Sequence, residues 1–454
     1  LLLNFNLAYG RGGTRLLPSY KGMGIMFWIC TISVVCMVGS AVYYKPYLGI
    51  AFVIISIPFE GYVISDDISI YPIEVVLAIH ICICLYKLVV CKENYFRNTK
   101  LVYCFLPFML CILLSTFKTM AFSLSVKEIV RWLELIVVYI LTINLMNDEK
   151  KLRVILYTMI LTTIMVSIYG VFDYLIDVRP SIPGWERWDH RANFPFGCPN
   201  ALACYVNLSI PVVISMLIAG VLLRERIVLG FCAVLSTVTC FLTISRTGWL
   251  TFFLALIIVF ILTKQKKRVA AYLVVFLLVS IIIFFSFSMK DSSRDRDFTM
   301  DRLTLQTALE GLGGRAECYS IGFKMVKDDL VFGIGTGNYS ILIKKFTTVR
   351  QFVQNNLHNL YLQIFIETGL VGLCAFVFWL TGILRFILSS LKSLENSRNY
   401  GLYIGLIGGV IAYLFANFVN VLTVHGIHLQ WGIILGLAVV LTQSRESETC
   451  PKAA

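Results

Sequence analysis

The sequence predicts an all-α fold: a polytopic transmembrane helix bundle of about 12–14 spans with one large extracytoplasmic loop domain containing short helices. Three observations predict it. Of the 454 residues, 58% are hydrophobic and only 14% are charged, whereas about a quarter of an ordinary soluble domain is charged. Apolar runs of roughly 20 residues, the length that crosses a bilayer, recur along the chain. A single long polar stretch, residues 290–356, interrupts them.

In chain order the apolar runs fall at 23–43, 47–64, 71–91, 101–117, 127–146, 152–176, 200–222, 227–245, 247–263, 269–289, 357–390, 401–420 and 424–443. The basic groups Lys92/Arg97/Lys100, Lys150/Lys151/Arg153, Arg224/Arg226, Lys264/Lys266/Lys267/Arg268 and Lys392/Arg398 then all fall on one side, the cytoplasmic side for short basic loops. The net charge of +13 is therefore topological and gives no reason to expect nucleic acid as a partner. Asp66/Asp67, residues 178–199, Arg246, residues 290–356 and His425/His428 share the outer side. Thirteen runs also put residues 1–22 outside, despite Arg11, Arg15 and Lys21. A helix lost ahead of the chain, or a partial first helix, is the expectation that follows. The division is an N-terminal membrane bundle (1–289), an outer loop domain (290–356), and C-terminal membrane helices with a cytoplasmic tail (357–454). The 14 cysteines lie mainly within apolar runs, where Cys acts as a small hydrophobe, and none form a zinc-spaced CxxC pair.

Within 290–356, Ala316, Tyr319, Phe323 and Val326 recur at helical spacing, which predicts an amphipathic helix over 315–328 begun by Arg315 after Gly313-Gly314. The run Gly333-Ile334-Gly335-Thr336-Gly337-Asn338 lacks the preceding strand and following helix of a dinucleotide site and reads as loop geometry.

Three outer-side residues are candidates for chemistry. Arg246 lies in a tight turn between two apolar runs, where a guanidinium is either functional or snorkels to headgroup phosphates. Arg315 sits at an expected helix start, whose free N–H groups would join it in cradling a phosphate; a solvated arginine is the plainer reading. His358, in Asn355-Asn356-Leu357-His358-Asn359-Leu360-Tyr361, is expected in the first turn of a membrane helix. There it is either a base working near neutral pH or a helix-end hydrogen-bonding group. Two guanidiniums beside a proton acceptor suit a diphosphate substrate attacked by a hydroxyl. Glu367 is nine positions on, about 13 Å along a helix and on the opposite face, so it is not paired with His358. Arg131 and Glu134, three apart, are expected to satisfy each other. Asp173, Asp177, Arg179, Glu186, Arg187, Asp189 and Arg191 crowd one region with Trp185 and Trp188, an arrangement that suits either a sugar face or an interfacial aromatic belt. Asn200, after Pro199, opens the next span and is positioned to orient the loop. His425 and His428 share a helix face without a nearby carboxylate, so no metal site is expected there.

Four stretches then carry a resemblance: Asn193–Tyr205 (NFPFGCPNALACY), Ser245-Arg246-Thr247-Gly248, Arg315 through Tyr339 ending GIGTGNY, and His358-Asn359-Leu360-Tyr361-Leu362 continued by Glu367-Thr368-Gly369-Leu370-Val371-Gly372. In this order the sequence resembles the O-antigen ligase/polymerase superfamily of bacterial envelope glycan enzymes. The resemblance implies a GT-C-like bundle in the bacterial inner membrane with its active site facing the periplasm. Its donor would be a glycan on undecaprenyl diphosphate, with no nucleotide sugar, cofactor or metal. Arg246 and Arg315 match the family's diphosphate-holding arginines, and His358 matches the histidine that activates the acceptor hydroxyl for displacement with inversion. Arg191, Asn200, Asn359 and Tyr339, in or beside the same stretches, are further candidates for substrate contact. Ligases (acceptor: lipid A core), polymerases (acceptor: another lipid-linked repeat) and protein O-oligosaccharyltransferases share these motifs. The single long outer segment and the compact HNLYLQ…ETGLVG run look most like a ligase, with a polymerase second. A lipid-linked glycan transporter is disfavoured, because no internal repeat is visible and the suspect charges gather at the boundary.

Overall fold

The computed structural model describes residues 25–59, 62–65, 68–93, 100–176, 191–219, 222–288, 305–347, 356–424 and 426–449. Asp66, Asp67, Arg97, Asp177, Arg179, Trp185, Glu186, Arg187, Trp188, Asp189 and His425, all named above, lie outside the described residues, as does the segment 1–24. The protein is a helical membrane bundle. Its helices are α1 (Ile25–Tyr44), α2 (Leu48–Ser56), α3 (Pro72–Val89), α4 (Lys100–Ser115), α5 (Phe122–Leu145), α6 (Glu149–Ile176), α7 (Pro199–Ala219), α8 (Leu223–Leu242), α9 (Arg246–Leu262), α10 (Lys266–Ser288), α11 (Leu305–Val326), α12 (Tyr339–Phe346), α13 (Leu360–Leu394), α14 (Tyr400–Ala416) and α15 (Ile427–Thr449). The only strands among the described residues are a short antiparallel pair, β1 (Tyr62–Ser65) and β2 (Ile68–Ile70).

Every expected apolar run contains a helix, and six of the helices are long and apolar enough to cross a membrane. Helix α5 is of spanning length but carries Lys127, Glu128, Arg131 and Glu134. Contacts between helix ends fix the alternation. At one end Lys264 reaches Glu395, Tyr400 reaches the Leu262 carbonyl, Arg268 reaches the Ile218 carbonyl and Tyr157 reaches Glu225. This is the basic end. The first two runs obey the same alternation: the Lys87 ammonium lies over the Tyr43 ring, so α1 and α3 finish together. Nine-residue α2 is extended by turn hydrogen bonds at Leu48, Gly49 and Ile50, and it rises to put Ile57 beside Ile73 and Gly426 at the opposite end. Of the first two runs, the second holds the short element.

In lipid no hydrophobic force draws helices together, so close backbone approach and dense packing do the work. Helix α7 is buried almost all round. Gly405 and Gly409 let α14 lie directly on it; a Cβ at either would sit 2.6 Å from the Pro211 carbonyl or 2.7 Å from that of Leu208. Edge-to-face rings fill the space between α4, α5, α13 and α15, with Phe108–Trp132 at 5.0 Å and Trp379–Trp431 at 5.8 Å.

Helix α13 is broken near its site end, where Gly369 adopts φ 69° and ψ −169°. Its freed groups are taken up by the glycine loop. Ile334 and Gly335 donate to the carbonyls of Ile366 and Glu367, while Leu370 and Val371 donate to those of Leu330 and Val331. Irregular backbone is tolerated at membrane depth only when satisfied in this way. A Cβ on Gly369 would stand 2.2 Å from the Val331 carbonyl oxygen. The loop is pinned in turn to the α4–α5 connection: Asn338 donates to the Lys118 carbonyl and accepts from the Met120 N–H, and Lys118 pairs with Asp329. Buried Glu367 receives the N–H groups of Gly337 and Tyr339 and a bond from Gln363, so it holds this loop and not His358.

Two expectations are corrected. Arg131 pairs with Glu128, and Glu134 instead faces His428 of α15 at 3.7 Å. Helix α11 begins at Leu305 and runs unbroken through Gly313-Gly314, because Cys318, Ile321, Met325 and Val326 bury a stripe against Leu357 and Ile366. Ala316 and Phe323, assigned to that stripe from spacing, are exposed.

Candidate functional site

Arg246 is the first residue of α9, held by a strained and heavily braced turn. Ser245 caps the helix, its hydroxyl accepting the Gly248 N–H at 3.1 Å. Ile244 before it has φ 47°, a left-handed conformation costly for a β-branched residue. The strap 191–196 fixes this turn from outside. The Arg191 Nε donates to the Thr243 carbonyl at 2.8 Å, and Ala192 donates to that of Leu242 at 2.9 Å. The strap is fixed by Asp173, whose carboxylate accepts the N–H groups of Asn193 and Phe194. Arg246 itself is exposed, and its guanidinium lies against Gly311 of α11, the Nη2 3.1 Å from where a Cβ would stand.

Arg315 follows Gly311 by about one helical turn. It is half-buried in the middle of α11, so the free N–H groups expected around it at a helix start are already spent within the helix. What it can offer an anion is the side chain alone. Burial lowers its pKa from the ordinary arginine value; Tyr319 opposes this, and the charge of Arg246 adds a smaller push downward. An arginine so placed remains a cation.

His358 is not in the first turn of its helix; it stands one residue ahead of Asn359, which caps α13 by accepting the Leu362 N–H. His358 has φ 52°, and its N–H donates to the Asn356 side chain at 3.0 Å. On one side Leu357 is fully buried against α11, where Gly322 leaves room for it. On the other, the Leu360 N–H donates to the carbonyls of Asn417 and Asn420, at 2.9 and 3.2 Å. The imidazole is half-buried, and among the described residues no hydrogen bond reaches its ring. Burial holds its pKa below the usual histidine range, and the Arg315 charge pushes it the same way. The result is a neutral ring near pH 7 with both nitrogens available.

Arg315 therefore lies within electrostatic reach of both Arg246 and His358, and the Arg246 guanidinium meets the same helix about one turn earlier, at Gly311. Three residues spread over 113 positions meet where α9, α11 and α13 begin or pass. The remaining candidates are placed differently. Arg191 and Asn359 are engaged in the backbone bonds just given. Asn200 accepts from the Ser245 hydroxyl at 2.7 Å and donates to the Asn420 side chain at 3.1 Å. Tyr339 is fully buried, its hydroxyl inside the α11–α12 cluster. Sequence reasoning missed Gly311, Asn417 and Asn420; the pair of asparagines three apart after α14 was the one available signal.

The fold and this cluster define a multi-pass helical membrane protein that gathers two arginines and a histidine at one end of its bundle. Residues 231–377, which include the Arg246 turn, α11 and the His358 turn, match the family model described as O-antigen ligase (Wzy_C). The matched stretch is thus similar to the O-antigen ligase family, and it carries all three clustered residues. No curated protein matches the chain.

Proposed function

We propose that the protein is a glycosyltransferase of the ligase type, moving a glycan from undecaprenyl diphosphate to a hydroxyl of the lipid A core at the periplasmic face of the inner membrane. The observation that carries this reading is that the helix bearing Arg315 receives the Arg246 guanidinium at Gly311, about one turn earlier, and packs against Leu357, the neighbour of His358. Arg246 and Arg315 hold the diphosphate. The acceptor oxygen attacks the anomeric carbon from the face opposite the diphosphate, His358 takes the hydroxyl proton, and the bond to the diphosphate oxygen breaks with its electron pair. Configuration inverts. The guanidiniums supply the positive charge the leaving diphosphate requires, so the reading invokes no divalent metal.

The test is reconstitution of the full chain with a purified lipid-linked glycan and either lipid A core or a second lipid-linked glycan. Glycan on lipid A core is the expected product. Elongation of the lipid-linked glycan instead would make the protein a polymerase, and transfer to neither would overturn the reading.

A further inference from the structure

Three side chains connect the turn that carries Arg246 to the turn that carries His358. The Ser245 hydroxyl, one residue before Arg246, donates to the Asn200 carbonyl oxygen at 2.7 Å. The Asn200 amide donates to the Asn420 side-chain oxygen at 3.1 Å. The Asn420 backbone carbonyl, with that of Asn417, receives the Leu360 N–H, two residues after His358. Asn420 is buried, and the loop bearing it is held by Asn417, whose side chain accepts the Leu422 N–H at 2.9 Å and donates to the Tyr413 carbonyl at 2.9 Å. Both joined turns are strained, Ile244 and His358 being two of the three non-glycine residues with positive φ among the described residues. Strained backbone persists only where its surroundings over-determine it.

We infer that Asn420, acting through Asn200, is a positioning residue that keeps the His358 turn in register with the Arg246 turn. The inference rests on the proposed function for its kinetic consequence, but the bridge itself does not. The side chains of Asn200 and Asn420 are bonded to each other, and Asn200 also to Ser245. They act on where the base stands relative to the diphosphate, and in reactions of this kind a displacement of about 1 Å costs roughly a hundredfold in rate.

Two isosteric substitutions isolate the bond. Asn200→Asp keeps the acceptor for Ser245 but replaces the donated N–H with an oxygen facing the Asn420 oxygen. Asn420→Asp keeps the acceptor for Asn200. Each adds the same carboxylate to the same place, so charge alone predicts equal effects. The bridge predicts that Asn200→Asp and Asn420→Ala lower kcat by about ten- to a hundredfold with donor KM within about twofold, while Asn420→Asp stays within about threefold of wild type. Equal losses in the two Asp variants, or losses confined to KM, would overturn the inference. Should Asn200→Asp not fold, Asn420→Ala against Asn420→Asp makes the same comparison.

A readout independent of turnover is the rate at which diethyl pyrocarbonate modifies His358 in the full-length protein, followed on the His358 peptide by mass spectrometry. The rate should change in Asn200→Asp and Asn420→Ala and hold in Asn420→Asp; an unchanged rate in all three would overturn the bridge. If wild type transfers glycan to neither acceptor, the proposed function fails while this pattern still decides the bridge.

Discussion

The guanidinium of Arg246 packs against Gly311, its Nη2 3.1 Å from the point a Cβ would occupy, about one helical turn before Arg315. A residue without a side chain in mid-helix costs roughly 1 kcal/mol relative to alanine. Here it opens the space in which the two arginines can face one substrate group. Gly311→Ala asks the flexible end of Arg246 to move by only a few tenths of an ångström and should leave donor binding within about twofold, on the scale of a single helix substitution. Gly311→Leu should displace the guanidinium and weaken donor binding by about tenfold or more, as expected for loss of a charge-assisted hydrogen bond. Equal donor affinities for the Leu variant and wild type would argue against the shared site.

Arg315 should not be replaceable by lysine. The planar fork of arginine holds two phosphate oxygens at once, whereas an ammonium offers one compact charge. Arg315→Lys and Arg315→Ala should both lose most donor binding, and Arg246→Lys should follow them. A lysine variant with wild-type donor affinity would remove bidentate recognition from the account.

The pH dependence follows from the direction of the His358 shift. Burial first, and the Arg315 charge second, favour the neutral ring. The base is therefore available at pH 7, and activity should fall only as pH drops through a value below the ordinary histidine pKa of about 6.5. Arg315→Gln relieves the smaller cause, so in whatever activity remains the acid limb should move to higher pH, but less than all the way. A limb that moves to lower pH contradicts the assignment.

Gly369 is a stability prediction. Its φ of 69° and the Val331 carbonyl 2.2 Å from its would-be Cβ leave no room for alanine. Gly369→Ala should destabilise the protein by about 1–3 kcal/mol or more, from the strained backbone alone, and separate the glycine loop from α13. Thermal unfolding in detergent reads this directly, and an unchanged midpoint would mean the break in α13 is not held by the loop.

The apolar runs were legible because membrane span length is imposed by the bilayer, and each one contains a helix. What escaped was whatever depends on partners distant in sequence. The break at Gly369 is satisfied by residues some 35 positions earlier, so nothing local marks it. Arg131 sits three residues from both Glu128 and Glu134, and only the approach of His428 decides between them. Gly313-Gly314 read as a helix start because glycine is a poor helix former, yet the buried stripe beyond it carries the helix through. At the site, Arg246, Arg315 and His358 were visible as residue types in suggestive places. The asparagines that join their turns were not, because an amide in a loop has no signature until its partner is known.

Donor binding and glycan transfer by His358→Ala, measured on the same reconstituted preparation, test the central claim most directly. If His358 is the base, transfer falls by about 10²–10⁴-fold, the usual worth of general-base help, while the lipid diphosphate still binds through Arg246 and Arg315. A transfer rate within about threefold of wild type, far short of that range, or a variant that no longer binds donor, would contradict it.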